Sequence, residues 1–201
     1  MTSNSTTSAN QASKATPTIV LTAGHGGSDV GAVNTSYQNK THTESSIACE
    51  MRNIVAHILK NDYGMRVKTD GIAMGNLPLR NALPLIKGSA LAIDFHTNAS
   101  ANKTATGIEC LILPKNKTIA QTLCQAVADV TGWKLRGDKG YQPDNAGQHS
   151  RLAYAQAGGL VFEPFFISND DDLALWYGKK WLICRAVADA IAKHFGADKV
   201  A

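Results

Sequence analysis

Several features are missing from this sequence, and each absence excludes a class of protein. No apolar stretch approaches the ~20 residues of a membrane-spanning helix, so no membrane span is expected. The 20 lysines and arginines nowhere form a dense run. A net charge of +4 and a pI near 8.9 therefore give only a mild attraction for anions, too little for a nucleic-acid partner. An anionic cell-wall polymer fits the same charge, and so does a basic surface with no anionic partner. No Cys-x-x-Cys pair occurs. Cys49, Cys110, Cys124 and Cys184 are dispersed through apolar patterns and read as buried free thiols, as in a protein folded in a reducing compartment. Internal repeats, interdomain linkers and a second module are also missing.

Residues 1–16 are nearly all Ser, Thr, Asn, Ala and Gln with one lysine, and they lack an apolar h-region. They are expected to be a disordered polar tail rather than a signal peptide, which implies synthesis in the cytoplasm without an export leader. A short tail is also expected at 197–201, leaving 17–196 as one folded domain.

At 44% hydrophobic and 18% charged residues the chain is an ordinary globular one, and 201 residues suffice for one domain with a real core. Strands alternate with helices along it. The apolar run from Ile19 reads as a first buried strand, with others at Met65 to Thr69, Ser89 to Phe95, Gly107 to Leu113 and Leu160 to Phe162. Ile47, Met51, Ile54, Val55 and Ile58 at helical spacing predict a helix over Thr43 to Asn61. Further helices are expected at Thr118 to Val130 and Leu173 to Phe195, the last burying Leu182, Ile183, Ala186, Val187, Ala190 and Ile191. Asn76-Leu77-Pro78 reads as a cap opening a short helix that Pro84 kinks or ends. Gly132 to Gly147 is the least regular stretch. This alternation defines a single α/β domain with a largely parallel central sheet flanked by helices.

The chain is organised around Ile19 to Gly27, where the first strand ends in glycines that bracket His25 and let the backbone turn tightly. Ligands of open α/β sheets gather at the carboxyl ends of strands, and Glu44, His96 and Glu163 stand at such ends or at a helix start. Zinc in a hydrolase takes three ligands from His and carboxylate and leaves one position for water. His25, Glu44 and His96 supply that set from three separate segments, with no local motif to support them. Plain structural roles compete. Thr41-His42-Thr43-Glu44 has the spacing of a capping box, and a strand-end histidine such as His96 can simply bond to nearby backbone. Glu163 is harder to place structurally, because a carboxylate ending a buried strand is costly unless solvated, paired or near a metal. Asp94 shares a strand face with His96 and is a candidate to fix its tautomer, although a buried structural carboxylate fits as well. His42 and His149 read as loop or surface histidines.

Taken in order, Gly24-His25-Gly26-Gly27, the helix-opening Glu44, Phe95-His96-Thr97-Asn98 and Phe162-Glu163-Pro164-Phe165-Phe166-Ile167-Ser168-Asn169 resemble the zinc-dependent N-acetylmuramoyl-L-alanine amidases of the Amidase_3 type. Leu79-Arg80 and Gly107-Ile108-Glu109 also stand where that family carries similar elements, and the likeness runs from Thr18 to Phe195. The resemblance implies a mostly parallel six-stranded sheet and a Zn2+ ion held by His25, Glu44 and His96. It implies that Glu163 is the catalytic glutamate, close to the metal but not among its ligands. The implied substrate is peptidoglycan, cut between N-acetylmuramic acid and the L-alanine of the stem peptide, with Glu163 carrying a proton from water to the leaving amine. A monomeric phage endolysin acting on the host cell wall is the expected setting. Three positions depart from the family: Pro164 replaces a glycine, Phe95 a small residue, and Thr69-Asp70 stands for Thr-Arg. These departures are expected to alter the pocket more than the metal site. The alternatives are a zinc exopeptidase on a similar sheet and a catalytically silent wall-binding domain, although the intact Glu163 argues against the second. A dinucleotide-type loop is not matched, since Gly-x-Gly-x-x-Gly from Gly24 would need glycine at Asp29.

Overall fold

The computed structural model describes residues 16–146 and 151–200, so all but the last residue of the expected N-terminal tail lies outside the described residues. The chain runs through β1 (Thr18–Ala23), a hairpin of β2 (Val33–Asn34) and β3 (His42–Thr43), helix α1 (Glu44–Tyr63) and β4 (Arg66–Thr69). A short α2 (Leu79–Ala82) passes into a 3-10 turn at Leu83–Ile86, followed by β5 (Leu91–Phe95), β6 (Glu109–Ile112) and α3 (Lys117–Thr131). Then come β7 (Tyr141–Pro143), a short α4 (Ala153–Gln156), β8 (Leu160–Glu163) and the long α5 (Asp170–His194).

Six strands form one sheet in the order β4-β1-β5-β8-β6-β7, the mostly parallel α/β sheet expected. Among the described residues its one antiparallel pairing is β6 on β8, which sets Glu109 directly opposite Glu163. Strand alternation then sorts the side chains. Ile19, Leu21, Ile93, Phe95, Cys110, Ile112, Leu160 and Phe162 point to one face, packed under α1, α3 and α5 in the main core. Val20, Ala92, Leu111 and Val161 point to the other face, with Ile86 and Tyr154 in a smaller cluster. Thr22, Asp94, Glu109 and Glu163 each lie two residues from one of these four. They therefore collect on the thinly covered face, at the edge where the parallel strands end.

Helix ends follow local chemistry. Thr43, not Thr41, caps α1, its hydroxyl accepting from the Ser46 N–H at 3.3 Å, and Gly64 ends the helix in a left-handed conformation. The capping-box alternative for Glu44 is thereby removed. Helix α5 begins three residues before the predicted Leu173, because Asn169 accepts from the Asp171 and Asp172 N–H groups and the acidic first turn complements the helix dipole. Leu182 is 47% exposed, off the buried face to which the sequence assigned it. Pro78 rather than Asn76 precedes α2, and Pro84 falls in the 3-10 turn after the helix has ended. All four cysteines are buried and free. No helix among the described residues is long and apolar enough to cross a membrane.

One ion pair ties the sheet edge to a helix. Arg52 of α1 and Asp70, both with fully buried side chains, meet at 2.8 Å. Arg52 also donates to the carbonyls of Ala73 and Gly75 at 2.8 Å, while Asp70 accepts from the Leu77 N–H at 3.2 Å and from that of Ala23 at the end of β1. The departure at Asp70 is thus matched by a cation on α1. Removing one partner of a buried pair leaves an uncompensated charge, typically at a cost of ~3–5 kcal/mol. Asp70→Ala should lower the unfolding free energy by about that much in urea denaturation, and a loss below ~1 kcal/mol would contradict this account.

Candidate active site

His25 lies just beyond β1 with a left-handed backbone (φ 62°), a conformation uncommon for a residue with a side chain. The Asn76 amide holds that turn, its Nδ2 reaching the carbonyls of Ala23 and Gly24 at 3.0 Å and of His25 at 3.2 Å. Gly24 is required by a close approach of a different residue: a Cβ there would fall 2.2 Å from Cε1 of His96. The glycine beside one histidine makes room for the other.

The three segments meet at Glu44. Its Oε1 lies 3.1 Å from His25 Nε2 and 3.0 Å from His96 Nδ1, and the three candidate ligand atoms lie within 4.8 Å of one another. Two backbone groups also orient the carboxylate: the Ala32 N–H donates to Oε2 at 3.0 Å and the Thr97 N–H to Oε1 at 3.1 Å. The far nitrogen of each ring is likewise held. His25 Nδ1 lies 2.9 Å from Asp29 Oδ2, and His96 Nε2 lies 3.1 Å from Asp94 Oδ2. Asp94 in turn receives the Thr22 hydroxyl at 2.6 Å, and that hydroxyl is 2.9 Å from the Tyr154 OH. Such acceptors fix the tautomers, leaving Nε2 of His25 and Nδ1 of His96 for a metal. Two imidazoles and one carboxylate beside an open cleft form a donor set that fits zinc.

The electrostatics of this group oppose protonation of the carboxylate and favour protonation of the rings. Burial pushes Glu44 up, but hydrogen bonds from both histidines outweigh it and hold the carboxyl well below its usual range. Burial pulls His25 down, yet Glu44 and Asp29 raise it overall; His96, raised further, is governed by Asp94 and Glu44 against its own burial. A metal must therefore displace protons from these rings, and its affinity falls as pH drops. Titration calorimetry with zinc at pH 7, in buffers of different ionisation enthalpy, should record release of about one proton or more per ion. Binding without proton release would contradict this electrostatic account.

Glu163 ends β8 a strand away. Asn98 Nδ2 donates to its Oε2 at 2.8 Å and also bonds to Glu109 Oε1. Glu109 Oε2 accepts from Arg136 Nε at 2.9 Å and from Gln142 Nε2 at 3.2 Å. Burial, reinforced by Glu109 and Glu44 against the opposing charge of His96, pushes the Glu163 carboxyl up to about 7. A folded-state pKa above the unfolded value means that stability is full below pH ~4.5 and is lost as pH rises through ~7, by roughly 3 kcal/mol at 1.36 kcal/mol per pKa unit. In zinc-free protein, Glu163→Gln should remove most of this fall between pH 5 and pH 8 in urea denaturation. An unchanged pH dependence would show that Glu163 titrates normally.

His25, Glu44, His96 and Glu163 all line one cleft of about 670 Å3, together with Asn98, Glu109 and Arg136. His42 lies elsewhere, its Nδ1 2.7 Å from the Tyr177 OH and its Nε2 3.1 Å from the Tyr37 carbonyl, where it packs β3 against α5. His149 falls outside the described residues. The sequence reading missed Asp29, Asn98 and Arg136 and gave Glu109 no role. Asn98, two residues beyond His96, was the most visible of these. None of the three departures lines the cleft, contrary to expectation. Phe95 packs edge-on against Phe162 in the main core, Pro164 is buried outside the cleft lining, and Asp70 is taken up by Arg52.

Fold and cleft together define a single α/β domain whose cleft gathers polar residues at the carboxyl edge of the sheet. The chain belongs to the Amidase_3 family of N-acetylmuramoyl-L-alanine amidases, which it matches over residues 19–193. It is 66% identical to a Neisseria meningitidis protein assigned as an N-acetylmuramoyl-L-alanine amidase, over 92% of this chain and 98% of that one, with a TM-score of 0.84. The catalytic domain of the amidase CwlV from Bacillus (Paenibacillus) polymyxa var. colistinus shares the fold at 21% identity, covering 90% of this chain and 99% of that one, with a TM-score of 0.75. So does the catalytic domain of the CD27L endolysin targeting Clostridia difficile, at 19% identity, 88% and 97% coverage and a TM-score of 0.66. No curated protein matches the sequence.

Proposed function

We propose that this chain is a zinc-dependent peptidoglycan hydrolase that cuts the amide bond between N-acetylmuramic acid and the L-alanine of the stem peptide. The observation that carries the reading is the convergence of three ligand atoms from His25, Glu44 and His96 beside the buried carboxyl of Glu163, in one cleft. When bound, zinc supplies Lewis-acid polarisation of the scissile carbonyl and acidification of water. The chain's own residues do the rest. Glu44 and the two imidazoles hold the ion, and Asp29 and Asp94 keep the rings in the ligating tautomer. Glu163 Oε2 is tied to Asn98, which leaves Oε1 to take the proton from the attacking water and deliver it to the departing alanine nitrogen. A carboxyl near 7 is suited to both halves of that task at neutral pH.

Digestion of purified peptidoglycan should release peptides with new N-terminal alanine and no new reducing sugar ends. Single terminal amino acids would instead identify an exopeptidase, and an uncut but bound wall a silent domain. The purified protein should carry about one zinc per chain, and chelation should abolish activity until zinc is restored. Glu163→Gln should keep its zinc and lose turnover by roughly a hundredfold or more, whereas Glu44→Gln should lose the zinc itself. Loss of zinc with Glu163→Gln and retention with Glu44→Gln would exchange the two roles.

A further inference from the structure

The proposed proton path sets Glu163 beside the departing nitrogen, and a peptide leaving over β8 then passes toward β6 and β7, the next strands in the sheet. The sheet edge then serves as a ruler. Neighbouring strands are ~4.8 Å apart, and a peptide spans at most ~3.6 Å per residue. A group on the second residue of the departing peptide, ~7 Å from the cut bond, comes to rest one strand beyond Glu163. That is where Glu109 stands, with Arg136 Nε on its Oε2 at 2.9 Å.

Arg136 is built into this place. Its N–H bonds to the Ile108 carbonyl at 3.0 Å and its carbonyl accepts from the Gly140 N–H at 2.8 Å. Its guanidinium lies over the Phe166 ring, 4.9 Å from the centroid. Gly107 leaves the room it needs, since a Cβ there would fall 2.9 Å from Arg136 Cγ. The Nε is used on Glu109, and among the described residues neither Nη makes a hydrogen bond. The side chain is 39% exposed and lines the cleft. A guanidinium pinned along its stem, with both terminal nitrogens left over, presents a planar fork that matches a carboxylate.

We propose that Arg136 recognises a carboxylate on the second residue of the stem peptide, the free α-carboxylate of a γ-linked glutamyl residue, and so discriminates against stems in which that group is an amide. This rests on the amidase reading above. Two soluble substrates test it: N-acetylmuramoyl-L-alanyl-D-glutamate and its D-isoglutamine counterpart, both capped as γ-methylamides so that only the α-group differs. The native zinc-loaded enzyme should favour the acid in kcat/KM by roughly tenfold or more. Arg136→Gln should collapse that ratio to within about twofold, mainly through KM on the acid. Should that variant not fold, Arg136→Lys, which retains a charge without the fork, should still reduce the ratio severalfold. If both substrates fall together and the ratio persists, Arg136 only braces Glu109 and the proposal is overturned. A native enzyme indifferent to the α-group overturns it as well. Failure of the amidase reading looks different, because then no alanyl peptide is released from either substrate.

Discussion

The structure depends on a buried carboxylate held between two imidazoles. Glu44 is almost wholly out of solvent, and a charge so placed costs several kcal/mol unless every oxygen is answered. Both oxygens are answered here, by the Ala32 and Thr97 N–H groups and by His25 and His96. β1 and β5 are already paired up to Ala23 and Phe95 and packed under α1, and these contacts fix the turn after β1, the first residue of α1 and the end of β5 relative to one another. Satisfying Glu44 and bringing His25 and His96 together are therefore one requirement. Arg52 and Asp70 meet a similar requirement behind it, locking the loop whose Asn76 shapes the His25 turn.

The fold was legible because its signal is local. Short apolar runs marked β1, β5, β6 and β8, and helical spacing marked α1, α3 and α5. Elements whose stability comes from partners were not visible. The β2–β3 hairpin is too short to show a period, and β7 sits in a glycine-rich stretch, held by its pairing with β6. The reversed direction of β6 leaves no trace in composition, since a buried strand reads the same either way. Leu182 was misplaced because a long helix drifts relative to its contact line, and the true face follows Leu173, Trp176, Ile183 and Val187.

The site divides in the same way. His25, His96 and Glu163 stood out because each closes an apolar run with a polar side chain, and Glu44 because it opens a helix. Asp94 could be named as a partner of His96 because period two puts them on one face, and the structure joins them. Glu109 and Arg136 could not be given roles. Their meaning lies in pairings across 54 and 27 positions, Glu163 opposite Glu109 and Arg136 against it, which only strand order reveals. The departures misled for a related reason. Phe95 and Pro164 adjoin site residues in sequence, yet alternation turns Phe95 to the far face, and Phe165 just beyond Pro164 is stacked between Trp133 and Trp176 in the core.

The reversal of β6 has a mechanical consequence. In a sheet wholly parallel, the segment after β5 would have to cross to the opposite edge before re-entering. Here residues 96–108 leave and return at the same edge, so both feet of this loop stand in the cleft, His96 and Asn98 on one side and Glu109 on the other. Its middle is moored to the start of α5, through Thr106 to Asp172, Asn169 to the Ala105 carbonyl and Ser168 to the Ser100 N–H. A displacement along this span is shared by His96, Asn98 and Glu109, which the one loop carries into the cleft together.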